Sequence, residues 1–368
     1  MNRKTKIAIL GAGNAACAMA FHYYYYGKDL FDITIYYDSS IPIERVGQGS
    51  LIPFSQLVYE LFGLNWYDNN LIKATPKTGF LYENWGKKQD KIFHNFPMQG
   101  QSFHYVPRLL SNLLLECGFF KVVDKNILNP EEEVDADYIF DCRGKHNRDS
   151  AEYDVLTNPL NHVFLCDKEG ADLTLTFTRC VATPDGWTFL IPNHDSVSYG
   201  YIFNDQVTSI ENAKQNFIDL FDVVPDSHFH FENYIAKKCF VGERTVLNGN
   251  RLTFLEPLEA TSVGFYLYVS RIIWDHIVNG QDIELCNQII RNEMFCLQNF
   301  VLWHYQFGSK YDTDFWKYAK TLPFCPDENF NQMLNFVKDN DSFTCRNNKP
   351  FSYGQWTPHS FKVWYDNV

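Results

Sequence analysis

No Cys-x-x-Cys pair occurs among the ten cysteines (17, 117, 142, 166, 180, 239, 286, 296, 325 and 345), and no Cys/His spacing suits a metal ion. That excludes a zinc ribbon and offers no disulfide framework. Most of the thiols sit in apolar runs, as buried free cysteines do, and a reducing cytoplasm is the expected location. Positive charge is scarce: 32 Lys and Arg face 44 Asp and Glu, a formal charge of −12 and a pI near 5.4. This argues against nucleic acid or an anionic membrane surface as partner. No apolar run reaches the roughly 18 residues of a membrane helix. Repeats, low-complexity tracts and free linkers are also missing. So are Ser-His-Asp and thiol-His arrangements. His228-Phe-His230 sets two imidazoles on one strand face, but no third ligand is placed to help, so no metal is expected.

What is present is a chain of 368 residues, 45% hydrophobic and 21% charged, long enough for one large or two ordinary domains and too apolar for disorder. Aromatics reach 17%. Either an AT-rich coding sequence or an aromatic-lined cavity accounts for that. Met1 to Ala20 has the basic start, apolar run and small residues of a secretory signal. Its glycines are instead placed for a strand, a turn and a helix, which is the reading taken.

Lys6 to Leu10 reads as a buried strand, Cys17 to Tyr25 as a small-residue helix and Phe31 to Tyr37 as a second strand, a βαβ unit. Gln56 to Leu61 and Pro107 to Cys117 read as helices. Glu131 to Glu133 is an acidic lead into a strand over Val134 to Phe140. Periodicity then switches to two at Leu173, Leu175 and Phe177. Asp185-Gly186 is a turn signal, and Trp187 to Ile191 and Val197 to Phe203 supply strands of an antiparallel meander. Helices are expected over 210–221, 266–278 and 283–300, and the aromatic-rich tail after Tyr311 has weak periodicity.

Gly11-x-Gly13-x-x-Ala16 is a dinucleotide fingerprint with alanine last. The first Gly permits the tight turn, the second lets backbone approach a pyrophosphate, and the small third residue lets helix and strand pack. Asn14, Ala15 and Ala16 open the helix whose N-terminus faces the phosphates. Asp38, ending the second strand, can bond a ribose hydroxyl. The motif does not distinguish FAD from NAD. Phe254-Leu-Glu-Pro-Leu-Glu-Ala-Thr-Ser262 packs Glu256 and Glu259 into apolar sequence. A desolvated carboxylate must be paired, protonated or used.

Together with Ala74-Thr-Pro-Lys-Thr-Gly-Phe-Leu-Tyr-Glu-Asn-Trp-Gly86, these segments resemble, in order, the flavin-dependent halogenases of the tryptophan-halogenase branch. The lysine segment of that family is usually written A-T-F-K-x-G-I-x-F-x-N-W. Ala74, Thr75, Lys77, Gly79, Asn84 and Trp85 match, and Pro76 replaces an aromatic. Ile41 to Pro53 resembles the loop V-G-E-A-T-I-P, with Gln48 and Gly49 in place of Glu and Ala. Arg45, Gln48, Gly49 and Ser50 are its implied flavin contacts. Asp141-Cys-Arg-Gly144 resembles a second flavin turn and Leu247-Asn-Gly-Asn-Arg251 a third, with Asn250 where Asp is common. Gly186-Trp-Thr-Phe-Leu-Ile-Pro192 resembles G-W-x-W-x-I-P. Trp187, Ile191 and Pro192 match and Phe189 replaces the second tryptophan. Leu302-Trp-His-Tyr305 and Thr313-Asp-Phe-Trp316 extend the resemblance to about residue 320. His304 reads as a bonded structural histidine.

The resemblance implies a fold class of α/β, with an FAD-binding Rossmann-like domain of flavoprotein-monooxygenase type, an antiparallel sheet layer and a helical C-terminal region. The expected division is 1–150 plus 235–300 for FAD, 151–234 for the substrate-side sheet and 301–368 for the C-terminal region. It implies FADH2 from a separate flavin reductase, with halide and O2 as co-substrates and a small electron-rich aromatic as acceptor. Reduced flavin and oxygen give a hydroperoxide, and halide attack on it gives hypohalous acid. Lys77, an amine in a partly desolvated pocket, would hold or carry that halogen. Glu259 would orient the oxidant and remove the proton from the cationic intermediate. Thr261 and Ser262 fall at the halide amides, with Ser262 in place of a usual glycine. Trp187, Phe189, Ile191 and Pro192 would wall the flavin from the organic substrate, and Glu256 would support structure or flavin placement. Tryptophan-specific members are longer at the C-terminal end, so no indole-binding residue carries over, and the compactness is that of a viral (cyanophage) member acting in a host cytoplasm. A homo-oligomer is left open. The alternatives are an FAD-dependent aromatic hydroxylase and a non-catalytic flavin-binding protein.

Overall fold

A continuous apolar run followed by Gly11 ends one strand and starts one helix, and the rest of the nucleotide-side layer grows from that junction. The computed structural model describes residues 3–43, 46–66, 68–96, 100–144, 150–170, 174–348 and 350–368. Strand Thr5–Leu10 pairs in parallel with Phe31–Tyr37 on one side and Tyr138–Asp141 on the other. Lys121–Asp124 extends the sheet beyond Phe31–Tyr37, Thr245–Leu247 extends it beyond Tyr138–Asp141, and Phe240–Val241 closes that edge antiparallel. Helix Asn14–Gly27 buries Ala15, Ala16, Cys17, Ala18, Met19 and Ala20 in succession. These small side chains let it lie close to the sheet and to helix Thr261–Asn279. This is the Rossmann-like α/β layer that the sequence leads one to expect.

The second sheet has seven strands in the order Ser227–His230, His162–Glu169, Ser196–Phe203, Gly186–Pro192, Thr178–Thr183, Gly79–Glu83 and Lys91–Asn95. The hairpin at Asp185-Gly186 joins the expected meander. Two strands from residues 79–95 also belong to this sheet, Gly79–Glu83 running parallel to Thr178–Thr183. Gly186–Pro192 is buried along its whole length. Its alternation sends Trp187, Phe189 and Ile191 to one face. A small third sheet pairs Ser102–Tyr105 with Thr75–Lys77 and with Gln48–Gly49, which sets Lys77 beside the loop at Gly49.

Three expectations require correction. Residues 171–173 lie outside the described residues and 174–177 form no strand; the strand starts at Thr178. The Thr78 amide and hydroxyl both donate to the Thr176 carbonyl, at 2.6 and 2.8 Å, and take up its pairing in an irregular contact. The strand expected from Val134 begins only at Tyr138, because Pro130–Glu133 is a short helix held by the Glu133 carboxylate on the amides of Leu128 and Asn129. The tail is more regular than its pattern: it holds helices Asp314–Thr321, Glu328–Asp339, Ser342–Asn347 and Pro358–Asn367. They close on the long helix Ile283–Phe307 through Trp303, Phe330, Phe361 and Trp364. Among the described residues no helix is long and apolar enough to cross a membrane.

Gly186 tests the meander. A Cβ there would sit 2.1 Å from the Ile202 carbonyl oxygen, a backbone atom that cannot turn aside. Gly186→Ala is expected to lower unfolding stability by about 1–3 kcal/mol, read as a lower denaturant midpoint at unchanged slope.

Candidate active site

A cavity of about 1170 Å³ opens where the parallel sheet meets the second sheet. Its floor is the first turn: Gly11, Gly13, Asn14 and Ala15 line it, with Asp38 at the rim. Gly11 has φ +108, and a Cβ would stand 3.0 Å from the Cys142 carbonyl oxygen, so the turn needs glycine. The Asp38 carboxylate is exposed and accepts from the Ser40 hydroxyl (2.5 Å) and amide (2.9 Å), bonds that hold it below the usual carboxylate range. Gln48, Gly49, Gly144, Asn250 and Ser262 also line the cavity. The Asn250 side-chain oxygen accepts from the Tyr266 hydroxyl at 3.0 Å. Trp187, Phe189 and Ile191 form one wall.

Other expected site residues stand back from this space. Ala16 is wholly buried under the turn. Asp141 is outside the lining: Arg143 and Arg251 bind its carboxylate at 2.7 and 3.1 Å. Burial pushes that carboxyl up, and the Arg143 hydrogen bond with the charges of Arg251 and Arg143 brings it net below the usual range. Thr261 is buried at the start of its helix, and the Pro192 carbonyl accepts from the Thr75 hydroxyl at 2.6 Å. Arg45 lies outside the described residues. Sequence reasoning missed Arg108, Lys125, Asn126 and Arg143, all of which line the cavity; Arg108, Lys125 and Arg143 bring positive charge to it. A glycine turn at a helix N-terminus, an acid at the second strand's end and a long cavity with cationic side chains fit a dinucleotide cofactor such as FAD.

Lys77 lies one layer behind the wall and is wholly buried. The sequence implied a partly desolvated amine; the structure removes water completely. Its Nζ donates to the Ser50 carbonyl at 3.2 Å and sits 4.0 Å from the Phe80 ring centroid. Ser50 is itself buried, its hydroxyl 2.6 Å from that of Ser102. A Cβ on Gly49 would lie 2.9 Å from Nζ, so the Gly that replaces the family alanine leaves room for the amine. Burial lowers the Lys77 pKa to about 7, against the raising influence of Cys180 and Glu259. His104, alongside, is driven well below the usual imidazole range by burial and by Lys77.

Glu256 and Glu259 are both buried, but their surroundings differ. Glu256 accepts from Tyr305 Oη (2.7 Å), Asn158 Nδ2 (2.9 Å) and Trp187 Nε1 (2.8 Å). Burial raises its pKa to about 7 despite those bonds. It ties the cavity-wall strand to the helical layer. Glu259 accepts at Oε1 from Tyr82 Oη (2.5 Å), with His94 Nδ1 and His304 Nε2 at 3.0 and 3.3 Å, and at Oε2 from Trp356 Nε1 (3.2 Å). His304 Nδ1 in turn faces the Phe300 carbonyl at 2.7 Å, so both of its ring nitrogens meet oxygen atoms. Burial pushes the Glu259 carboxyl up, but the two histidines overcome it and the carboxyl ends well below its usual range. Glu259 and Ala260 both have positive φ, +67 and +51, a strain of about 1–3 kcal/mol each. Tyr82, His94 and Trp356 were not singled out in the sequence. The period-two placement of Phe80 and Tyr82 on the strand that follows Lys77 was the available signal.

The tryptophan halogenase family model matches residues 6–111 and 120–361. The chain belongs to this family. Over 154 residues it is 25% identical to the tryptophan 7-halogenase RebH of Lentzea aerocolonigenes, covering 40% of this chain and 29% of that protein. The alignment with the tryptophan 6-halogenase SttH of Streptomyces toxytricini has 27% identity over 154 residues and also spans 29% of the relative. The chain thus aligns with under a third of the length of these curated relatives. The solved structure of SttH superimposes with a TM-score of 0.80 at 17% identity, over 98% of this chain and 90% of that one. BrvH, a flavin-dependent halogenase from Brevundimonas sp. BAL3, superimposes with a TM-score of 0.77 at 19% identity, over 99% of this chain and 90% of that one. At these identities the likeness is one of fold, the FAD-binding Rossmann-like α/β fold of halogenases. Of the His228 and His230 pair, His228 Nδ1 lies 3.0 Å from His162 Nε2, and His162 is bonded to Asp205 at 3.1 Å. Among the described residues no group of three or more His, Cys, Asp or Glu is arranged to hold a metal.

Gly13 separates cofactor binding from folding. A Cβ at this position meets nothing within 4 Å of protein, yet the residue lines the cavity. Gly13→Val is therefore expected to keep the wild-type melting temperature while losing flavin, seen as loss of flavin absorbance after reconstitution and gel filtration. Unchanged flavin occupancy would show that the turn does not approach the cofactor.

Proposed function

We propose that this protein is an FADH2- and O2-dependent halogenase that oxidises halide and delivers the halogen through Lys77 to a small electron-rich aromatic. The observation that carries this reading is a wholly buried amine with a pKa lowered to about 7, one wall away from a dinucleotide-sized cavity and in the field of Glu259. Bound reduced flavin, with oxygen and halide, supplies the hypohalous oxidant. Gly11, Gly13 and Asp38 would hold the cofactor, with Asn14, Gln48, Gly49, Gly144 and Asn250 along its course. Thr261 and Ser262 would provide the halide amides, and Trp187, Phe189 and Ile191 would keep the aromatic substrate from the flavin. FADH2 would come from a separate flavin reductase, since the chain has a single dinucleotide fingerprint.

The unprotonated Lys77 amine can take halogen from hypohalous acid, releasing water, or hold the acid by hydrogen bonding. Glu259, kept anionic, can stabilise the ring cation formed on halogen transfer and accept its proton. Lys77→Ala is expected to abolish halogenated product while flavin binding and oxygen consumption persist. Retained halogenation would remove Lys77 from the mechanism. Glu259→Gln keeps size and removes charge, and should slow turnover by about 100-fold; an unaltered rate would return Glu259 to a structural role. Hydroxylated product without halide dependence would mark the protein as an aromatic hydroxylase.

The pH dependence follows from the lowered lysine. With a pKa near 7, the neutral fraction of Lys77 rises from about one-tenth at pH 6 to about nine-tenths at pH 8. Single-turnover halogen transfer should therefore accelerate with rising pH across this window, and a flat profile would contradict an amine acting in its neutral form. Halide preference follows from the pocket. Phe189 is smaller than the family tryptophan, and Ser262 replaces a glycine beside the halide amides. Chloride is the most strongly hydrated of the three and depends most on well-placed donors. Bromide or iodide product should therefore exceed chloride product when the three compete at equal concentration, with products separated by mass.

A further inference from the structure

The donors around Glu259 are unevenly shared. Tyr82, His94 and His304 all converge on Oε1, whereas among the described residues Oε2 meets only the Trp356 indole. The Tyr82 contact is the shortest of the four, 2.5 Å, and comes from a fully buried side chain on strand Gly79–Glu83. The halogenase spelling of this strand, G-I-x-F-x-N-W, places phenylalanine where Tyr82 stands. A phenylalanine would keep the ring contacts of Tyr82, edge-on to Trp85 and Trp364 at 5.9 and 4.7 Å. It would put no donor on the carboxylate.

We propose that Tyr82 is a positioning residue for Glu259: its hydroxyl occupies Oε1 and leaves Oε2 as the oxygen that takes the proton from the halogenated ring. The proposal rests on the halogenase reading above. An O–H donated to a carboxylate is a charge-assisted bond, short and strongly orienting. Three donors on one oxygen use up its lone-pair directions, while a single indole N–H at 3.2 Å leaves Oε2 room for a second partner. The phenol itself keeps its proton, because burial and the facing Glu259 charge push its pKa well above the usual range. It is therefore a fixed donor. In the step it serves, the ring C–H bond breaks, its electron pair restores the aromatic system, and the proton passes to Oε2.

Tyr82→Phe removes only the hydroxyl. The Glu259 carboxylate stretch, identified in the infrared difference spectrum by its loss in Glu259→Gln, is expected to shift in Tyr82→Phe at neutral pH. Turnover should fall by roughly tenfold with KM for the aromatic and flavin occupancy unchanged. In the Glu259→Gln background, Tyr82→Phe should have no further effect, since the partner it orients is gone. Tyr82→Leu, which also removes the ring, separates packing loss from donor loss through its lower melting temperature. An unmoved carboxylate band overturns the proposal, and so does a moved band with unchanged turnover or an equal rate loss in the Glu259→Gln background. Absence of halogenated product with any halide overturns the halogenase reading alone, because the infrared band reads the Tyr82–Glu259 bond without turnover.

Discussion

The burial of one amine governs the site. Holding Lys77 without water costs several kcal/mol for the charged form, which appears as the fall of its pKa from 10.5 to about 7. The fold supplies what the amine needs in return. The small sheet pairing Ser102–Tyr105 with Thr75–Lys77 and Gln48–Gly49 presents the Ser50 carbonyl to Nζ, and Phe80 offers its ring face. Gly49 is part of the same accommodation, because any side chain there would press on the amine. A neighbouring His104 held neutral by the same burial adds no second cation.

Two carboxylates three residues apart show how environment rather than residue type sets charge. Glu256 meets the neutral donors Tyr305, Asn158 and Trp187, and desolvation dominates. Glu259 meets two histidines, a phenol and an indole, and stays anionic. The difference depends on backbone geometry: positive φ at Glu259 and Ala260 turns the segment after Pro257 so that successive carboxylates enter different pockets. Strain at a non-glycine pair persists only where surrounding contacts fix it. Here they are the four bonds on Glu259 and the helix that begins at Thr261.

The cofactor-sized cavity and the lysine are adjacent but not continuous in the lining. Gly49, Phe80 and Cys180 are shared boundary: all three line the cavity, Gly49 and Phe80 lie against the Lys77 amine, and Cys180 acts on it electrostatically. Phe80 and Tyr82 lie on the strand that leaves Lys77 for the second sheet, so one five-residue element touches both the amine and the carboxylate. That strand runs parallel to Thr178–Thr183, which fixes it in the seven-stranded sheet, while the glycine turn follows a strand of the parallel sheet.

Local chemistry was legible in the sequence: Gly11 and Gly13 before a run of small residues dictate a strand, a turn and a closely packed helix whatever lies elsewhere. Alternation around Asp185-Gly186 dictates the hairpin for the same reason, and a pair of carboxylates in apolar sequence announces a site. The weakly periodic tail was not legible, because its helices form by packing Phe330 and Phe361 on Trp303, and Trp364 on His304 and Phe307, rather than by their own propensity. Nor could sequence show that Asp141 turns to Arg251, since short-range electrostatics between side chains 110 residues apart exist only after folding. The partners of Glu259 come from positions 82, 94, 304 and 356. No spacing rule links them, and only the closing of the second sheet against the helical layer brings their donors to one carboxylate.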